Sequence, residues 1–110
     1  MPVQEIEDLK QQFIEQLMPR KIYLFGSFAK GNYAEGSDFD FYIIVDDETK
    51  DLKEVTTKAY RAIRRIKNRP VDIIVGTESR FESRRQIPSV ENEVSREGVL
   101  LYESGGKAVD

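Results

Sequence analysis

Histidine, cysteine and tryptophan are all absent from this 110-residue chain. Without cysteine there is no disulfide framework, thiolate nucleophile, zinc finger or iron–sulfur site. Without histidine there is no Ser-His-Asp triad, zincin helix or ordinary haem ligand. Any catalysis must rest on carboxylates, Lys, Arg, Tyr or Ser. The opening MPVQEIEDLK has no apolar signal region, and no apolar run approaches the roughly 18 residues of a membrane span. No membrane role and a cytoplasmic location are therefore expected.

What is present describes one soluble domain. A chain of 110 residues with 39% hydrophobic and 34% charged residues can bury one core and carry one site. The domain is expected to span 1–104, with 105–110 as a flexible tail. Net charge is only -3, yet from Lys58 to Arg85 there are nine basic residues against three acids. That stretch is either a solvated helix face or a patch for an anionic partner, and charge pattern alone favours the former.

Apolar spacing orders the elements. Val3, Ile6, Leu9, Phe13 and Leu17 keep a helical period, which predicts a helix from about Val3 to Met18, stopped by Pro19. Lys21 to Phe25 reads as a buried strand, and Gly26 to Gly36 as loop or a short helical turn. Phe39 to Val45 (FDFYIIV) is the strongest strand signal. A second helix is expected from about Asp51 to Asn68, ended by Pro70, and a third strand from Val71 to Val75. Thr77 to Arg85 reads as a short helix. Ser89 opens another that Gly98 closes, and Val99 to Tyr102 is a fourth strand. The order predicts an α/β (α+β) domain, a small mixed sheet of about four strands backed by helices, but not the strand order. Tyr23, Phe25, Tyr42, Tyr60 and Tyr102 are assigned to the core, and Phe28 and Tyr33 to loop packing.

Three acids sit where strands rarely place them. Asp38 and Asp40 are two apart at the start of an apolar strand, so their side chains share a face, while Asp72 interrupts VDIIV. An aspartate is costly to bury unpaired, and a divalent cation is a natural partner: Mg2+ takes a few carboxylates plus phosphate oxygens and water. The alternative is a turn cap and two solvent-facing acids. Gly26-Ser27 directly after a strand could let backbone N–H groups and a hydroxyl approach phosphate, but alone it is more often only a turn. Gly26 to Gly31 also imitates half a P-loop, yet Asn32 and Tyr33 stand where that motif needs Lys and Ser or Thr.

In combination, GSFAKGNYAEGSDFDF followed by VDIIV resembles the signature of the polymerase-beta-like nucleotidyltransferase superfamily, in its smallest form, the minimal nucleotidyltransferase (MNT) proteins. The resemblance covers nearly the whole chain. It implies that Asp38, Asp40 and Asp72 hold Mg2+, as two ions, and form the catalytic set, with Asp72 also helping to activate the attacking hydroxyl. It further implies that Gly26, Ser27, Lys30 and Ser37 bind the nucleotide. The common family variant carries Arg where this chain has Phe28 and Lys30, and Lys30 keeps a cation but loses the bidentate fork. ATP is the implied substrate. Free-standing MNT proteins resemble antitoxins that adenylylate a tyrosine of a HEPN ribonuclease toxin, so such a toxin is the implied partner. Alternatives are an antitoxin that acts by binding alone, and transfer to a small molecule or an RNA end. Nucleic acid is the less favoured partner, and homo- or hetero-oligomers are expected if an apolar docking surface is exposed.

Overall fold

A computed structural model describes residues 2–105. Helix α1 (Val3–Leu17) buries Ile6, Leu9 and Phe13 and ends at Met18, whose N–H still reaches the Ile14 carbonyl while its left-handed backbone (φ 48°) turns the chain out of the helix before Pro19. Strand β1 (Lys21–Phe25) runs into the one-turn helix α2 (Ser27–Lys30), and β2 (Phe39–Val45) follows. Asp51 accepts a hydrogen bond from the Glu54 amide at the start of α3 (Leu52–Ile63), which leads to β3 (Val71–Thr77). Thr77 and Ser89 cap α4 (Glu78–Arg84) and α5 (Val90–Glu97) in the same way, and β4 (Val99–Glu103) closes the described chain.

The four strands form one mixed sheet in the order β3-β2-β1-β4. β1 is antiparallel to β2 and β4, whereas β2 and β3 are parallel and joined by the α3 crossover that parallel pairing requires. Alternation along the strands sends Phe39, Phe41, Ile43, Ile22 and Leu24 to the face covered by α1 and α3. Tyr42, Ile44 and Ile74 go to the other face, under Phe81 of α4 and Val94 of α5. Both faces of β2 are buried, which is why its sequence is almost wholly apolar and its boundaries are as expected. Each fully buried large apolar side chain contributes about 2 kcal/mol of transfer free energy.

Three expectations are corrected. The second helix ends at Ile63, short of Asn68, because residues 64–66 unwind into turns and Ile66 is left 41% exposed. Strand β3 runs two residues past Val75, since Gly76 and Thr77 continue the ladder against Ile44 and Val45. A side chain at 76 would collide with the Tyr42 hydroxyl, so glycine is required there by space. Tyr60 is 39% exposed and not core: its hydroxyl accepts the Ile73 amide at 2.9 Å, holding the ring along the seam between α3 and the edge strand β3. Most of the expected tail, residues 106–110, lies outside the described residues. Phe28 is buried and stacks on Tyr33 at 4.4 Å between ring centroids, as loop packing requires.

Candidate active site

Register brings the distant acids together. Asp40 is the second residue of β2 and pairs across the parallel ladder with Asp72 of β3, so both carboxylates stand on the same face at the same height. Across the antiparallel ladder Asp40 pairs with Phe25, the last residue of β1, which places the Gly26-Ser27 turn directly beside it. Gly26 has φ 74° and ψ -152°, a conformation open only to glycine, and a Cβ there would collide with Oδ2 of Asp40. Backbone freedom and space thus both demand glycine at the point where the chain passes the acid.

The helices α4 and α5 cover Tyr42 and Ile44 further along β2 but leave Asp40, at its start on the same face, partly open. Asp40 is half-buried, while Asp38 and Asp72 are exposed. Burial first, then the charges of Asp72, Asp38 and Glu93, push the Asp40 carboxyl up from 3.8 to about 6. A carboxyl raised by burial and by neighbouring acids fits a cation: oxygen donors, concentrated negative charge and open access match the needs of a hard divalent ion. Among the described residues, no three acids already close around one point. The formed unit is the Asp40–Asp72 pair, with Asp38 within electrostatic reach at its rim.

The other expected site residues have different surroundings. Ser27 opens α2 immediately after Gly26. The Lys30 ammonium lies 3.6 Å from Glu93 and 3.5 Å from Glu97, so α5 carboxylates hold it. The Ser37 hydroxyl accepts the Ala34 amide at 2.9 Å and fixes the loop that delivers Asp38.

Two supports had no signal in the sequence. Arg69 donates to the Ser37 carbonyl at 3.2 Å, pairs with Glu5 of α1 at 2.8 Å and covers the Phe39 ring, tying the approach to β2 onto the first helix. Glu91 on α5 is fully buried, accepts the Tyr42 hydroxyl at 2.7 Å and receives Arg80 and Arg84 at 3.3 and 3.1 Å. Burial alone would raise Glu91, but hydrogen bonds from Tyr42, its own backbone amide and the two arginines outweigh it and hold the carboxyl below its ordinary value. Burial and the Glu91 carboxylate push the Tyr42 hydroxyl up, which keeps it a donor. A cavity of about 580 Å3 lies at the opposite end of the sheet, lined by Met18, Val45, Asp46 and Tyr102, and none of the expected site residues borders it.

Residues 6–101 match the model of a family described as Nucleotidyltransferase domain. A Sulfolobus solfataricus protein described as a candidate nucleotidyltransferase shares the fold, with TM-score 0.60 and 17% identity over 92% of this chain and 79% of that one. A toxin-antitoxin structure with AMP-PNP aligns with TM-score 0.55 and 22% identity over 96% of this chain and 76% of that one. A variant of the toxin-antitoxin MntA-HpeT aligns with TM-score 0.53 and 20% identity over 96% and 76%. Among curated proteins, none matches this sequence.

Proposed function

This chain belongs to the nucleotidyltransferase domain family, and from that premise we propose that it transfers AMP from ATP to a tyrosine hydroxyl of a HEPN-type toxin, acting in the cytoplasm as its antitoxin. One observation carries the reading: the Asp40–Asp72 pair on neighbouring strands, with Asp38 at its rim and the Gly26 backbone pressed against Asp40. Likeness to toxin-antitoxin structures, one of them with AMP-PNP, supports the choice of partner and nucleotide.

Asp38, Asp40 and Asp72 would hold Mg2+, which when bound neutralises phosphate charge and stabilises the attacking and leaving oxygens. The Gly26-Ser27 turn offers a close backbone approach and a hydroxyl to the nucleotide's phosphates. Lys30 stands one turn away and can exchange Glu93 and Glu97 for phosphate. The acceptor oxygen forms a bond to the α-phosphorus, the bond from that phosphorus to the β-phosphate oxygen breaks, and pyrophosphate leaves. The hydroxyl proton passes to a carboxylate of the pair, Asp72 being the more exposed to an incoming acceptor.

The test is the intact mass of the protein encoded by the neighbouring gene after incubation with this chain, ATP and Mg2+. An added AMP is expected with the native chain and not with Asp38→Asn or Asp40→Asn. A stable complex without added mass would overturn the enzymatic reading in favour of neutralisation by binding.

A further inference from the structure

Every Lys and Arg among the described residues outside 50–67 has a carboxylate at 2.8–3.9 Å. The seven cations within 50–67, by contrast, are all exposed and make no ion pair with the described residues. The charge that counted as one basic stretch in the sequence is therefore two populations. Arg69, Arg80, Arg84 and Arg85 are consumed internally, and the free charge is concentrated on α3 and its exit.

At that exit Thr57, Tyr60, Arg61, Arg64 and Lys67 line a surface hollow of about 420 Å3. Tyr60 and Ile66 are 39% and 41% exposed beside these cations. Cations in the last turn complement the α3 dipole, which accounts for Arg61 but not for Lys67, four residues past the helix end, nor for apolar side chains left in the open. The Tyr60 hydroxyl accepts the Ile73 amide, one residue after Asp72, so the hollow lies along the edge strand β3, on the face of the sheet opposite the Asp40 and Asp72 carboxylates.

We infer that this stripe is the docking surface for an acidic face of the protein that presents the acceptor hydroxyl. The inference rests on the proposal that the acceptor is a protein. Exposed Tyr and Arg side by side, with an apolar neighbour, are the residue types that dominate protein–protein binding energy. Guanidinium groups also pair carboxylates bidentately. The patch is bounded: its helical part, from Thr57 to Ile63, spans roughly 9 Å. Asp51 and Glu54 precede it at the start of α3, and the Asp40 and Asp72 carboxylates stand on the opposite face of the sheet. A nucleic acid carries its charge continuously and would run onto Asp51 and Glu54, whereas an acidic patch on a folded protein ends where the cations do.

The experiment measures binding of the neighbouring gene's product to the native chain, to Arg61→Glu/Arg64→Glu/Lys67→Glu, to the milder Arg61→Gln/Arg64→Gln, and to Lys50→Glu/Lys53→Glu at the far end of α3. Circular dichroism melts and ATP binding with Mg2+ check that each variant is folded. The triple variant is expected to lose at least about tenfold in affinity, mostly through slower association, and the double Gln variant about threefold. Lys50→Glu/Lys53→Glu stays near native, and ATP binding is unchanged throughout. Native-like partner affinity in the folded triple variant overturns the inference while leaving AMP transfer standing. Failure of the native chain to bind or modify the partner, with ATP binding intact, overturns the proposed function and this inference together. Single-stranded RNA that binds the native chain and loses affinity in the triple variant, while partner affinity does not change, makes the stripe a nucleic-acid contact and overturns the inference.

Discussion

Asp40 and Glu91 are both carboxylates drawn partly or wholly out of water, on the same face of the sheet, and their neighbours drive them in opposite directions. Asp40 meets other acids and is raised to about 6; Glu91 meets a hydroxyl and two guanidinium groups and is lowered. The first pattern marks a group waiting for a cation, the second a group already satisfied. Between about pH 4 and pH 6 the folded chain holds a proton on Asp40 that the unfolded chain has released, so this group's contribution to stability falls as pH rises through that window and stays low above it. Asp40→Asn is therefore expected to raise the melting temperature of metal-free protein by about 4 °C near neutral pH. The gain shrinks toward pH 5, and nucleotidyl transfer is lost. Melts in chelator at the two pH values check it; a variant that melts no higher than the native chain at neutral pH would contradict the repulsion.

At the level of elements, Glu91 fastens α5 to β2 through Tyr42 and to α4 through Arg80 and Arg84. Its folded pKa lies below the unfolded value of 4.5, so its stabilisation is present above about pH 4.5 and disappears as pH falls through the folded value. Glu91→Gln is expected to cost about 2 kcal/mol near neutral pH in urea unfolding. The difference from the native chain closes in acid, and an undiminished difference at pH 3 would contradict the assignment. None of this was legible beforehand, because Tyr42 and Glu91 are 49 residues apart and Arg69 and Glu5 are 64 apart. The strands were legible because runs such as FDFYIIV are apolar where two faces are buried. The capped start of α5 was legible because Ser89 acts locally, whereas Thr77, expected as the first residue of α4, is its cap. The end of α3 was not: Ile66 continues the helical period, but the chain must unwind after Ile63 to reach β3. The acids were readable as a set from their misfit with strand chemistry, whereas the Asp40–Asp72 pairing needed the non-local parallel register.

Across the whole molecule, the two helical layers bury the middle of the sheet and leave one end of it to chemistry. That end combines the close of β1 with the beginnings of β2 and β3, unlike doubly wound parallel sheets, whose ligands sit at the carboxyl ends of the strands. Charge is divided accordingly, with acids at the sheet end on one face and free cations along α3 on the other. By the proposed function, the acid pair recruits a nucleotide through a divalent cation. The most direct test of this claim is calorimetric titration of ATP, with Mg2+ and with chelator, into the native chain and into Asp40→Asn/Asp72→Asn. The native chain should bind ATP at least about tenfold more tightly with Mg2+, and the double variant should show the same weak affinity in both conditions. Equal Mg2+ dependence in the two proteins would contradict the claim.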